Sequence, residues 1–118
     1  MKVFDIYVNH RKVCTAGLNQ AGVVSSVLTW GAGHGKHVRK TEHLEFRVGG
    51  LISRSRTFVE WFKRPLHSGD EIRIVIATRR SADAPKKKRR ESKADRLKRE
   101  RRMLEARAAA LGFKVVGR

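Results

Sequence analysis

His34, His37 and His43 are the residues whose types and spacing come nearest to a catalytic centre, because three imidazoles can hold a zinc ion and leave a position for water. Their setting argues against it. His34 and His37 fall in a Gly-rich stretch rather than on a rigid element, and no neighbouring Cys or paired carboxylate completes a metal-ligand spacing. The stretch itself, Gly31-Ala32-Gly33-His34-Gly35-Lys36, invites comparison with a phosphate-cradling loop, but the opening Gly of that pattern falls at Trp30, and His37 stands where Ser or Thr would hold magnesium. Glu42 and Glu45 are three apart in a segment that reads as a strand, so they point to opposite faces and cannot act as a carboxylate pair. Cys14 has no partnering base in the sequence and reads as a small buried strand residue. No nucleophile elbow, kinase or dinucleotide signature is present. The expectation is a protein without catalysis, metal or cofactor, and a small metal-dependent enzyme centred on the three histidines is the weakest of three functional readings.

The richer chemistry is cationic. Residues 81–118 hold 14 of the 28 Lys and Arg against 5 of the 11 Asp and Glu, a net +9, whereas the first 80 residues carry a net +8. Charge of that density works against compaction and speaks about partners. The string Pro85-Lys86-Lys87-Lys88-Arg89-Arg90 opens it, and Lys93, Lys98, Arg99, Arg101 and Arg102 extend it. Such a run can neutralise phosphates and release condensed counterions, which gives salt-sensitive, sequence-independent binding to DNA or RNA. Lys36, Arg39 and Lys40 in the Gly-rich loop, with Arg54 and Arg56 in a later turn, are secondary phosphate contacts, and Arg47, Lys63 and Arg64 could add to a positive body surface. The same interleaving of Lys, Arg and Glu also describes the wet face of any solvated helix. An acidic protein partner, covered by an adaptor or immunity-like module, is therefore the rival reading. Residues 85–90 also fit a nuclear-localisation pattern, which has meaning only in a eukaryotic or viral setting; otherwise the expected place is the cytoplasm, in association with nucleoid or ribonucleoprotein.

These residues must be held by a small scaffold. The first 80 residues alternate β-branched and aromatic residues in short blocks cut by Gly, Asn and Ser, which predicts about six short strands in an antiparallel barrel or sandwich. Phe4, Ile6 and Val8 share a face. Asn9-His10 then predicts a tight hairpin into Val13-Cys14-Thr15-Ala16, since Asn tolerates positive φ. Residues 23–30 are apolar on both faces and are expected to form a central strand. Leu44, Phe46 and Val48 alternate with His43, Glu45 and Arg47, residues 58–62 form a further strand, and Ile72, Ile74 and Ile76 the last. Trp30, Phe58, Trp61 and Phe62 could stack on exposed bases, but in so small a domain they are assigned to the core.

Alternation stops near residue 80. Residues 81–85 read as a linker and residues 86–118 as a basic, largely helical tail, with 86–90 a flexible entry and 91–111 a helix ended by Gly112. Ala94, Leu97, Leu104, Ala108 and Leu111 make a seam, interrupted by Arg101, that either joins two copies in a weak dimer or packs on the β-domain. The single Cys excludes an intramolecular disulfide, and no apolar run is long enough to span a membrane.

Several strings, Val13-Cys14-Thr15-Ala16-Gly17, Ser26-Val27-Leu28-Thr29-Trp30, residues 44–51 and residues 61–71, resemble a group of short, uncharacterised bacterial proteins in which a small β-domain precedes a charged helical tail. The resemblance spans about residues 6–78. It implies the fold and carries no activity or binding residue.

Overall fold

The computed structural model describes residues 1–33 and 42–112, and it contains seven strands followed by one helix: β1 (Lys2–Val8), β2 (Arg11–Ala16), β3 (Gly22–Ala32), β4 (Glu42–Ile52), β5 (Thr57–Pro65), β6 (Ile72–Thr78), β7 (Lys87–Arg90) and α1 (Lys93–Ala110). All pairings are antiparallel, in a three-stranded sheet ordered β2-β1-β6 and a four-stranded sheet ordered β3-β4-β5-β7. The sheets do not close into a barrel; they face one another as a sandwich.

Period-two alternation explains the core. Ile6, Val8, Cys14 and Ala16 from the first sheet meet Phe46, Val48, Val59 and Trp61 from the second, with Leu66 beside them. Trp61 reaches this layer through a bulge. Val48 pairs with Phe62 and Gly49 with Glu60, so Trp61 is the extra residue and its indole turns inward. The predicted hairpin is present: Asn9 (φ 50°) and His10 (φ 67°) both take positive φ, and the Asn9 side chain and backbone tie the turn to Asp70 and Glu71. Cys14 is buried, and burial pushes its thiol up to about 11.

Two expectations are overturned. Residues 23–30 do not form a central strand; β3 is the edge of the four-stranded sheet, and Val23, Val27, Leu28 and Trp30 are exposed. Apolarity on both faces ordinarily marks a strand covered on both, whereas here Val23 and Val27 on one face and Leu28 and Trp30 on the other are open. Trp30 therefore lies outside the core, while Trp61 is within it and Phe58 and Phe62 are half-buried.

Residues 81–85 are likewise more than a linker. The Asp83 N–H donates to the Thr15 carbonyl at 2.9 Å, and its carboxylate accepts from the Thr15 N–H at 2.7 Å, so it occupies the free edge of β2. Its carbonyl accepts from Trp61 Nε1 at 2.8 Å. Lys86 N–H then donates to the Glu60 carbonyl at 2.9 Å, which starts the next pairing. The segment thus crosses from one sheet to the other.

On the other face of β1, Asp5 is buried with its carboxylate held by Arg79 at 2.6 and 2.5 Å, by Thr15 Oγ1 at 2.7 Å and by Lys12 at 3.2 Å. The Arg79 guanidinium, with help from the Thr15 hydroxyl, holds this carboxyl well below the usual carboxylate range. A lowered folded-state pKa stabilises the fold above the unfolded value and is lost on acidification. Arg79→Ala is expected to lower stability at neutral pH, since it leaves the buried Asp5 carboxylate with only Thr15 and Lys12. In wild type, thermal melts followed by circular dichroism should lose stability progressively below roughly pH 4, and Asp5→Asn should flatten that acid dependence.

Candidate nucleic-acid interface

The basic run forms a strand. Residues 87–90 have no apolar alternation, and their pairing is set from outside: Thr57, Phe58, Val59 and Glu60 of β5 stand opposite Arg90, Arg89, Lys88 and Lys87. At the upstream end Lys86 is bonded to Glu60, and at the downstream end the Glu91 N–H donates to the Arg56 carbonyl at 2.8 Å. An edge strand tolerates four cations because its side chains are solvated and its outer backbone faces water. The expected flexible entry is therefore corrected to β7.

Alternation along β7 sends its cations to two sides. Lys87 and Arg89 share the outer face of the sheet with Phe58 and Glu60; Lys88 and Arg90 share the opposite side with Thr57 and Val59. Arg89 stacks its guanidinium 4.8 Å from the Phe58 ring centroid and reaches Asp95 at 2.8 Å. Glu60 serves two cations, Arg47 at 3.2 Å and Lys87 at 3.9 Å. A groove of about 800 Å³ runs here, lined by Arg47, Phe58, Val59, Glu60, Lys86, Lys87, Lys88 and Arg89, five cations against one carboxylate.

A second hollow of about 230 Å³ continues from Phe58 and Arg89 onto the helix, lined by Arg56, Lys98, Arg99 and Arg102 together with Glu91 and Asp95. Helix α1 begins at Ser92, whose side chain accepts from the Asp95 N–H at 3.1 Å, and it ends before Gly112 at φ +81°, as predicted. No residue of α1 is buried, and Leu97, Leu104 and Leu111 of the expected seam are exposed. The seam does not pack on the β-domain. Besides the Arg89–Asp95 pair, what holds the helix is Glu91, whose side chain is 4 % exposed and whose carboxylate accepts from Arg99 and from Arg56, each at 3.0 Å. Arg99 and then Arg56 keep that carboxyl below the ordinary glutamate range.

The ion pairs sort the sequence-predicted contacts into two groups. Lys87, Arg89, Arg99, Arg101 and Arg56 are engaged with Glu60, Asp95, Glu91, Glu105 and Glu91 respectively. Among the described residues, no carboxylate lies within ion-pair distance of Lys86, Lys88, Arg90, Lys93, Lys98, Arg102 or Arg54, and all are exposed. Arg107 at the far end of the helix joins that second group, and Arg96 pairs with Glu100 at 3.2 Å; both were missed by a reading centred on the densest run. Along the helix Arg101 pairs with Glu105 one turn on at 2.9 Å, whereas Asp95 and Arg99 do not pair with each other but with Arg89 and Glu91. Lys36, Arg39, Lys40, His34 and His37 lie outside the described residues. His43 is exposed, 3.9 Å from Glu45, and among the described residues no three His, Cys, Asp or Glu side chains gather to hold a metal. No helix of the described residues is long and apolar enough to cross a membrane. Comparison with protein-family models, with curated proteins and with solved structures returns no match.

Glu91 is thus the hinge pin between strand and helix. Glu91→Gln should speed amide hydrogen exchange across residues 93–110 while leaving the exchange of β1, β4 and β5 unchanged; equal exchange in the helix of both proteins would show that the two arginine contacts do not restrain it.

Proposed function

We propose that this protein is a non-catalytic nucleic-acid-binding protein that grips the phosphate backbone with β7 and α1 and reads little sequence. The observation that carries this reading is the row of exposed cations without carboxylate partners, Lys86, Lys88, Arg90, Lys93, Lys98 and Arg102, on a strand and helix whose acidic residues are already spent on other arginines. A polyanion is the ligand that such a surface lowers in free energy most, through counterion release rather than through base contacts. The groove beside Phe58 gives the backbone of a strand or duplex a concave track, and the helix lengthens it. Association with a nucleoprotein or ribonucleoprotein assembly in the cytoplasm follows from this reading.

Point substitutions test it better than truncation, since cutting the chain after Ala84 removes β7 and uncovers β5. Fluorescence anisotropy of the full chain on short labelled DNA and RNA should show affinity falling steeply as salt rises. The triple variant Lys88→Ala, Lys98→Ala, Arg102→Ala should bind more weakly and reduce the slope of log K against log[salt] by roughly 2–3. Absence of binding at low salt would discard the proposal and make an acidic protein the leading partner; tight binding with an unchanged slope would move the interface elsewhere.

A further inference from the structure

The exposed apolar side chains are not scattered. Of the ten large ones among the described residues, three lie on α1, one is its C-cap Leu111, and six lie on β3 and β6: Val23, Val27, Leu28 and Trp30, with Ile74 and Ile76. Leu28 and Trp30 stand opposite Phe46 and Leu44, and Ile74 and Ile76 opposite Ile6 and Phe4, so these four share the core-bearing faces of their sheets yet are exposed, at the sheet edges away from β2 and β7. The other side is closed by residues 83–86.

The sheet edges are also treated unequally. β7 carries four cations, the outer edge of β2 is occupied by Asp83, and β6 is seven residues long and carries Arg73. β3 runs for eleven residues, Gly-Val-Val-Ser-Ser-Val-Leu-Thr-Trp-Gly-Ala, with no charge and no proline. A long, uncharged, apolar edge with no strand paired to it among the described residues is a template for another strand.

We propose that the occupant of this edge is β3 of a second copy, paired antiparallel about a two-fold axis at Val27. A chain of net charge +17 repels its own copies wherever cations meet, and β3 is the edge where none do. A nucleic acid or an acidic peptide gains nothing from an edge without cations, which removes the charge-based alternatives. The full-length register is self-complementary: Trp30 stands beside Val24 of the other copy, Leu28 beside Ser26, Thr29 beside Ser25 and Val27 beside itself, so the large side chains face small or β-branched ones on the same side of the sheet. The result is a continuous eight-stranded sheet. The cationic β7 of each copy lies at its far end, three strand spacings or roughly 14 Å from its own β3, which keeps the charged ends apart. This interface is distinct from the leucine seam of α1 and does not depend on the nucleic-acid reading.

Sedimentation of the full chain, without nucleic acid, is the test. Wild type is expected as a dimer at micromolar concentration. Val27→Lys places two ammonium groups face to face at the axis and should give a monomer with unchanged circular dichroism, as should Val27→Glu; mixing the two variants should restore a dimer. If Val27→Lys fails to fold, Val27→Cys should oxidise to a disulfide-linked dimer, with Cys14 buried and unable to compete. A monomeric wild type overturns the proposal, as does a dimer that survives Val27→Lys but is broken by Leu104→Lys in the helix, or a Val27→Cys protein that never cross-links.

Discussion

Asp83 is the residue on which the arrangement of this molecule turns. Its backbone and carboxylate complete the edge of β2, and its carbonyl receives the indole N–H of Trp61, the largest side chain in the core. A buried indole without an acceptor would carry the cost of an unmade hydrogen bond, so core packing and chain path are coupled at this one residue. With that crossing in place the chain is delivered to the edge of β5, and whatever residues come next are laid into the sheet. Those residues are lysines and arginines.

That coupling explains how so basic a segment becomes ordered. Repulsion among residues 86–90 opposes any compact arrangement, yet the strand needs only backbone pairing, with Lys87 and Arg89 drawn to Glu60, Phe58 and Asp95 on one face. Glu91 then redirects the chain by engaging Arg56 and Arg99 together, and the helix departs with none of its residues fully buried. Carboxylates are fewer than cations here, and each is taken up by an arginine or by Lys87, which leaves Lys86, Lys88, Lys98 and Arg102 without one. Closing the sandwich on the Asp83 side also has its counterpart on the far side, where β3 and β6 end the sheets with apolar residues open to solvent.

Much of the fold is legible because it rests on local rules. Alternation at residues 44–48 marks a half-buried strand, Asn9-His10 marks a turn that needs positive φ, and Gly112 marks the end of a helix. β7 is not legible, since nothing in Lys-Lys-Arg-Arg favours a strand; its pairing depends on Asp83 and Trp61, which are 22 residues apart. The position of β3 is hidden for the opposite reason, because an apolar strand at an open edge has the composition of a central one. For the candidate site, the cationic run itself is plain in the sequence, whereas the distinction between Lys88, which is free of a carboxylate, and Arg99, which is held by Glu91, exists only in three dimensions. Arg47 joins the groove because β4 sets it across Glu60 from Lys87.

The central claim is that β7 and α1 form a surface for phosphates. Backbone amide shifts of the isotopically labelled full chain, recorded as a short unlabelled oligonucleotide is added at low and then at moderate salt, test it most directly. Perturbations should concentrate on residues 86–90 and along the helix through Arg107, and should fade as salt rises. Perturbations confined to β3 and β6, or none at low salt, would contradict it.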